Sequence, residues 1–335
     1  MSLCDTLDDC RKARMNVRER ASRSVLSCLT RTRNTSNSGA RPKADGDHLR
    51  VESLKSSWQR LRDHFEVLLD QPESLPHLRQ SILQLAVQGK LVPQDPKDEP
   101  ISSQLDLIAS DNQELKKRLG PSAIEEGDAP YVVPNSWTWA RLGELLEPKR
   151  DISYGVIKLG DEPTTGGVTC LRCSDVRYRV VTYDRARRIE SELSQQYSRT
   201  ILEGGEILMN IRGTLGGCGI VPIECRGFNI AREVAVIPLS KHLDSHYVLD
   251  VISSPLVQHA TDASLRGIAY KGLNLGLLRK FVIPLPPLAE QKRIVTKVSG
   301  LLSQLDELSA QLRSRQSKSD ALLTALVHQV LEGVK

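Results

Sequence analysis

Apolar residues recur with a helical period near the start of the chain. From Val51 they follow each other at alternating steps of three and four, the pattern of a coiled-coil seam. The rhythm breaks at the polar stretch QPES, resumes at Leu75, and ends at Gly89, a residue type that often follows the last turn of a helix. A further short helix is predicted over residues 101–119. The first seam comprises Val51, Leu54, Trp58, Leu61, Phe65 and Leu68, and the second Leu75, Leu78, Ile82 and Leu85.

The C-terminal segment repeats this pattern over a longer distance. After the proline-rich stretch FVIPLPPLAEQKRI, a single helix is predicted over residues 288–332, about 65 Å long at the α-helical rise. Such a stripe needs a partner, because each leucine left in water forgoes about 1.5–3 kcal/mol of burial. We expect an antiparallel coiled coil with the N-terminal helices of residues 49–120. The C-terminal seam comprises Ile294, Val298, Leu301, Leu305, Leu308, Leu312, Leu322 and Leu326.

Residues 131–286, between the two helical regions, have a different pattern of hydrophobic and polar residues. Short β-branched runs such as GEILMNIRG and EVAVIPL are bounded by turn residues, which is typical of strands. One helix is predicted within this region, over residues 246–260. The expected fold class is therefore α+β, with one mixed, β-rich domain flanked by long helices that form an antiparallel coiled coil.

Residues 1–48 lack any apolar period. RTRNTSNSGARPKADGD cannot bury enough surface to offset the entropy of ordering it, so a disordered leader is predicted. A basic arm that grips phosphates is the alternative.

Charge and hydropathy limit the class of protein. Residues 1–50 hold 11 basic residues against 6 acidic ones, whereas the rest of the chain is balanced at 35 of each. The net charge of +5 therefore says nothing about the body of the protein. No run approaches the roughly 18 apolar residues of a membrane span, and MSLCDTLDDC is unlike a secretory signal. A cytoplasmic protein is expected.

Catalytic and metal motifs do not stand out. GTLGGCG lacks the lysine of a phosphate-binding loop, and Glu147 and Lys149 resemble the tail of a nuclease motif without a recognisable acidic partner. Cys170 and Cys173 have zinc-knuckle spacing, but no second such pair follows. We expect a chain with no catalytic residues, no metal and reduced thiols.

Arginine is the more informative residue type. Between Leu159 and Ser240 lysine is absent while arginine occurs ten times. A guanidinium offers two parallel donors to guanine edges or phosphates, which a lysine cannot do. Acidic residues in the same stretch could instead pair with these arginines. The candidate DNA contacts are Arg172, Arg177, Arg179 and Arg212, with Arg266, Tyr270 and Lys271 on the loop SLRGIAYKGLN.

Four stretches together resemble the specificity subunit of Type I restriction-modification systems. The element IPLPPLAEQKRIV followed by a leucine seam is the most specific of them. The stretches are LRQSILQLAVQGKLVPQDPKDEP at 78–100, PNSWTWARLGEL at 134–145, GGEILMNIRGTLG at 204–216 and IPLPPLAEQKRIV at 283–295.

This resemblance implies a non-catalytic subunit that recognises double-stranded DNA. Members of the family usually carry two target-recognition domains, whereas this chain shows one, so it resembles a half-length form. Its helices would dock modification (methyltransferase) subunits and, through them, a restriction (motor and nuclease) subunit. S-adenosylmethionine, ATP and Mg would serve those partners, with no cofactor in this chain. A homodimer through the helical regions would read a palindromic, interrupted site.

Two other classes of function are weighed against this one. A scaffold, or an inactive truncated fragment of such a subunit, would bind partner helices without contacting DNA. A nuclease or methyltransferase in its own right is disfavoured by the motifs that the sequence lacks.

Overall fold

A computed structural model describes residues 75–112, 124, 128–213, 215–265 and 272–332. The chain divides into two compact units, one of residues 82–299 and one of residues 1–81 together with 300–335. The predicted leader and the N-terminal seam residues Val51, Leu54, Trp58, Leu61, Phe65 and Leu68 lie outside the described ranges. In the described part of the chain, no helix is both long and apolar enough to cross a bilayer.

Helices occur at both ends of the described chain and between strands of its β-rich body. Three short 3₁₀ turns in the described residues, at Leu142–Glu144, Ser198–Thr200 and Ile223–Cys225, lie between elements of the body. The α-helices are α1 (Leu75–Val87), α2 (Ile101–Asp111), α3 (Ser191–Gln196), α4 (Ser245–Ser253), α5 (Pro255–Leu265), α6 (Leu275–Arg279) and α7 (Leu288–Glu332).

Eleven short strands in the described residues build four small sheets. They are β1 (Thr138–Arg141), β2 (Ser153–Tyr154), β3 (Val168–Leu171), β4 (Val176–Arg177), β5 (Val180–Val181), β6 (Arg187–Ile189), β7 (Ile207–Asn210), β8 (Cys218–Ile220), β9 (Asn229–Ile230), β10 (Val234–Ile237) and β11 (Val282–Leu285).

The largest sheet is antiparallel, with strand order β2-β10-β7-β8. A second sheet has the order β6-β3-β9, in which β3 and β9 are parallel. The pairs β1-β11 and β4-β5 complete the set. Mixed sheets with short helices and one long C-terminal helix confirm the α+β fold class.

The core of the body lies where these sheets meet. Every residue of β7 and β10 is buried, so both strands read as continuous apolar runs rather than alternating ones. The hairpin β4-β5 shares this core through Val176 and Val181, which pack with Leu208, Val221 and Val234. Its base is therefore fixed by hydrophobic packing.

The helix predicted over residues 246–260 is two helices. α4 ends at Ser253, and Ser254 is extended with ψ 160°, so α5 begins afresh at Pro255. Proline has no N–H to continue the ladder and disfavours helical geometry in the residue before it. The apolar period continued across this break, and the sequence prediction gave the proline too little weight.

The proline-rich exit leads from β11 into α7. β11 pairs with β1, and α7 begins at Leu288, directly after Pro286 and Pro287. Gln291, fully buried in the first turn, accepts from the backbone N–H of Asp244 at 3.0 Å and donates to the Pro286 carbonyl at 3.0 Å.

A second polar contact at this helix start involves the loop before α2. Arg293 donates to both carboxylate oxygens of Asp98, at 3.0 and 2.6 Å. This bidentate hydrogen bond lowers the pKa of Asp98. Gln94, in the same loop, donates to Glu290 at 3.2 Å. The LAEQKR motif thus fixes the start of α7 with polar side chains.

The seam residues of α7 have very different exposures. Ile294, Val298 and Leu312 are buried, whereas Leu301, Leu305 and Leu308 are half-buried. Leu322 is 65% exposed and Leu326 50% exposed, so the described residues do not cover this end of the predicted seam. Within the smaller unit, Arg79 of α1 pairs with Asp306 of α7.

In α1 the four predicted seam residues differ in burial: Leu75 is buried, Leu78 and Ile82 are half-buried, and Leu85 is exposed. Leu75, Leu83, Ala86 and Val87 are buried, whereas Leu85, which the sequence places in the seam, is 40% exposed. The burial pattern therefore follows a different stripe of the helix.

Candidate nucleic-acid interface

Three segments meet beside the central sheet, at the turn between β7 and β8. Tyr178, in the β4-β5 hairpin, forms a β-bridge with Cys218 of β8. Arg212, just after β7, forms a bridge with Gly272, the first described residue after α5. The Cys173–Tyr178 segment, the β7-β8 turn and the stretch after α5 therefore share one edge of the body.

Asn210, the last residue of β7, ties the first two segments together. Its side chain is buried, and its Nδ2 donates to the carbonyls of Cys173 at 3.0 Å and Val176 at 2.8 Å. Gly217 across the turn leaves room for this contact, because a Cβ there would lie 2.5 Å from the Val176 oxygen and 2.4 Å from Asn210 Nδ2. The backbone before β4 is thus held close against the sheet.

Arg172 and Arg177 flank the turn that Asn210 holds. The backbone N–H of Arg172 donates to Asp175 at 2.8 Å, and its guanidinium Nε lies 3.6 Å from the same carboxylate oxygen. Its side chain is 39% exposed. Arg177 is exposed on β4, and its Nε reaches the Ser174 carbonyl at 3.5 Å, the outer limit of a hydrogen bond. Arg177 is therefore at the surface, whereas the Arg172 side chain is only partly exposed and its Nε is buried.

Arg179 is placed differently from these two. It occupies the β4-β5 turn with a left-handed backbone, φ 60°, and its guanidinium pairs with Asp250 of α4. Asp250 is only 1% exposed, and burial raises its pKa to about 6 although Arg179 acts in the opposite direction. Arg179 is therefore engaged within the protein.

The remaining candidates lie after β7 and after α5. Arg212 is half-buried, and its backbone N–H donates to the Glu233 carbonyl at 3.2 Å. Arg266, Tyr270 and Lys271 lie outside the described residues. The segment that carries them is bounded by α5 on one side and by Gly272, the bridge partner of Arg212, on the other.

Other arginines of the lysine-free run hold turns together. Arg187 donates to the Gly160 carbonyl, and Arg188 donates to the Gly167 carbonyl at 3.0 Å. Arg150, outside that run, is surrounded by Glu147 at 2.7 Å and Glu206 at 2.9 Å. Glu147, considered above for a nuclease motif, is thus an ion-pair partner.

Three of the four cysteines among the described residues are buried, and Cys173 is half-buried. Burial raises the pKa of Cys170 to about 12 and that of Cys225 to about 11. The Cys218 Sγ lies 3.3 Å from Ser253 Oγ. Among the described residues, no group of three or more His, Cys, Asp and Glu side chains is placed to hold a metal ion.

Asn210 and Asp250 are site residues that the arginine pattern did not identify. Nothing in the sequence marks Asn210 beyond its place at the end of an apolar run. Asp250 could have been identified, because it is the lone charged residue within the apolar stretch YVLDVI.

Comparisons with known proteins converge on one family. Residues 160–315 match the Type I restriction modification DNA specificity domain. The chain is 26% identical over 352 residues to the Type I restriction enzyme EcoAI specificity subunit of Escherichia coli, an alignment that covers 98% of this chain and 55% of that protein. Identity to the EcoBI specificity subunit of the same organism is 29% over 263 residues, covering 78% and 51%.

The chain spans about half the length of these curated relatives. Among solved structures, the HsdS subunit from Thermoanaerobacter tengcongensis is 18% identical and gives a TM-score of 0.41, with 92% of this chain and 66% of that one covered.

Proposed function

We propose that this chain, in which residues 160–315 match the Type I restriction modification DNA specificity domain, recognises a specific DNA sequence through the edge formed by Arg172, Arg177 and Arg212. The matched specificity domain of residues 160–315 includes all three segments of that edge. The observation that carries the proposal is the meeting of these segments, because it gathers arginines that are distant in the sequence at one surface.

Recognition by this edge would divide into two kinds of contact. Arginine side chains on phosphates fix the position of the protein, and arginines on guanine edges select the sequence. Arg177 is the strongest candidate for a base contact, since it is exposed on a short hairpin. Arg266, Tyr270 and Lys271 belong to the same proposal through the bridge between Arg212 and Gly272.

The helical regions would serve assembly. We place the docking of modification subunits on α7 and on the N-terminal helices, with the restriction subunit entering through them. S-adenosylmethionine, ATP and Mg would then act in the partner subunits. Two copies of this chain would pair through their helices and read two half-sites of a palindromic, interrupted target.

Substitution of single arginines tests the DNA contacts. The full chain, alone and with its modification subunit, is incubated with duplexes that carry a randomised core, and the bound fraction is sequenced. Arg177→Ala is expected to cost about 1–3 kcal/mol and to relax preference at one position, whereas loss of a phosphate contact weakens all sequences alike.

Arg199→Ala is the matched control, because it removes an exposed arginine near the opposite end of β7. The neighbouring Ile201 carbonyl accepts from Arg150, which pairs with Glu206, the residue before that strand. Unchanged affinity and preference after substitution of Arg172, Arg177 and Arg212 would contradict the proposed interface.

A further inference from the structure

The β4-β5 hairpin turns through a residue that is poorly suited to its backbone. Arg179 has φ 60°, and it follows Tyr178 in the two-residue turn between β4 and β5. A positive φ at this position of a tight turn normally selects glycine or asparagine, because a Cβ is crowded there. The turn is therefore held in this conformation by contacts with the rest of the protein, because the intrinsic backbone preference of arginine does not favour it.

Asp250, the partner of Arg179, is also in an energetically unfavourable environment. Asp250 lies within α4, is 1% exposed, and has one carboxylate oxygen, Oδ2, that is buried without a hydrogen-bond partner. A buried charge that is only partly satisfied is unfavourable compared with an apolar residue of similar size. The unfavourable backbone of Arg179 and the incompletely satisfied carboxylate of Asp250 belong to the same ion pair, which joins the hairpin turn to α4.

Folding of the hairpin does not explain this pair. Val176 and Val181 already anchor both strands in the core, and the Thr182 N–H donates to the Asp175 carbonyl at 2.8 Å across the base. What the ion pair adds is the conformation of the turn, directly after the exposed Arg177. Local strain that surrounding contacts impose is typical of sites where geometry serves a function.

We propose that Arg179 is a positioning residue for DNA recognition: its ion pair with Asp250 fixes the hairpin turn so that the neighbouring Arg177 side chain is presented to DNA. Arg179 itself makes no contact with DNA, because its guanidinium forms an ion pair with Asp250. This inference rests on the proposed function and assigns separate roles to two arginines that the sequence grouped together.

The sign of the effect of Asp250→Asn distinguishes positioning from contact. If Arg179 positions the hairpin, this substitution disorders the turn and weakens sequence-specific binding by about tenfold, the size of one lost base contact. If Arg179 touches DNA directly, removing the neighbouring negative charge leaves binding unchanged or strengthens it. The probe is the full chain, alone and with its modification subunit, with the randomised duplex pool.

A double-mutant cycle gives a second readout that a direct contact cannot imitate. Arg179→Gly suits the left-handed turn but removes the ion pair, so it is expected to weaken binding as Asp250→Asn does. Combined with Asp250→Asn it causes no further loss, because the two residues act as one unit. A further loss in the double variant would show that Arg179 acts on DNA itself and would overturn the inference.

Conservative and control variants complete the test. Arg179→Lys keeps the charge, and intermediate affinity is expected because a lysine pairs with Asp250 at only one point. If Arg177 is on a phosphate, Arg177→Ala lowers the slope of log affinity against log salt, and Arg179→Gly then lowers that slope by no more than Arg177→Ala does, because it acts through Arg177. Arg199→Gly is expected to bind like the wild type.

The outcomes separate the two proposals. Thermal unfolding shows which variants fold, and if Asp250→Asn does not, the double variant of Arg177→Ala with Arg179→Gly decides the result. No loss beyond that of Arg177→Ala alone is expected if Arg179 acts through Arg177, whereas a further loss shows a separate contact with DNA. A wild-type chain that enriches no sequence contradicts the proposed function itself. A wild-type chain that enriches a sequence, with affinity and preference retained by the Asp250 and Arg179 variants, contradicts this inference alone.

Discussion

Asp250 shows how burial and an opposite charge compete at a single residue. Burial raises its pKa from 3.8 to about 6, and the guanidinium of Arg179 reduces that shift without cancelling it. At neutral pH, ionisation of this carboxyl is therefore less favourable in the folded chain than in the unfolded one, which lowers the free energy of unfolding. The carboxyl is buried in spite of this effect on stability, which agrees with a role in positioning.

A pH dependence of unfolding follows from the raised pKa. Between pH 3.8 and about 6 the folded chain holds a proton on Asp250 that the unfolded chain has lost. Raising the pH through this window removes that proton, so the wild type loses stability relative to Asp250→Asn. Below the window both states are protonated and above it both are ionised, so the difference is constant there.

Urea unfolding of the wild type and Asp250→Asn across this pH range measures the difference. Comparing the two proteins cancels the titration of the other carboxylates. If the two curves are parallel, or if the wild type gains stability with pH relative to the variant, the pKa of Asp250 is not raised. The ion pair with Arg179 would then offset or exceed the effect of burial on that pKa.

At the scale of single residues the sequence predicted candidates but not their roles. The lysine-free run drew attention to arginine, yet Arg177 and Arg179, two positions apart, differ in exposure and partner. Arg179 is engaged because Asp250, 71 positions away, lies within reach, and no local pattern encodes that distance.

Among the elements, the start of α7 depends on polar side chains that are buried. Replacing Gln291 with leucine keeps the size of the side chain but leaves the Asp244 N–H and the Pro286 carbonyl without their partner. The expected loss is about 1–3 kcal/mol in the free energy of unfolding, measured by urea denaturation. Lys292→Ala, at the exposed next position, is the control and should change stability by less than about 0.5 kcal/mol.

The β7-β8 turn gives a second prediction at this scale. Gly217→Ala would place a Cβ 2.5 Å from the Val176 oxygen, so the β4-β5 hairpin must move or the sheet must open. We expect lower stability and weaker DNA binding. Gly300→Ala is the control, because nothing lies within 4 Å of its Cβ in α7, and alanine there favours the helix by about 1 kcal/mol. Equal effects of the two substitutions would contradict the close contact at Gly217.

The elements themselves were largely predictable where a regular period was long. The strands at residues 207–210 and 234–237 lie within the apolar runs GEILMNIRG and EVAVIPL. The break at Pro255 and the stripe that buries Leu83 instead of Leu85 were not predicted, since apolar periodicity alone does not register a proline and cannot tell neighbouring faces of a leucine-rich helix apart.

At the scale of the whole molecule, the proposed dimer can be tested at the exposed end of α7. Leu322 and Leu326 are 65% and 50% exposed on α7, and pairing of two chains through their helical regions would bury them. Leu322→Glu is then expected to shift the solution mass of the full chain from dimer towards monomer, measured by sedimentation. Ser317→Glu, which adds the same charge at an exposed polar position away from the seam, should not. A wild-type chain that is strictly monomeric, alone and with its modification subunit, contradicts the dimer.

The resemblance to specificity subunits was evident from four stretches of the sequence, of which IPLPPLAEQKRIV followed by a leucine seam is the most specific. The DNA target is not readable in this way, since recognition side chains vary freely on a common fold. The symmetry of the target depends on the assembly rather than on any one residue.

The most direct test of sequence-specific recognition is a map of methylated adenines in cells that co-express this chain with its modification subunit. Methylation confined to one recurring sequence, absent without the chain and shifted or relaxed by Arg177→Ala, is the predicted result. Active modification subunits that methylate the same adenines whether or not this chain is present would contradict the account.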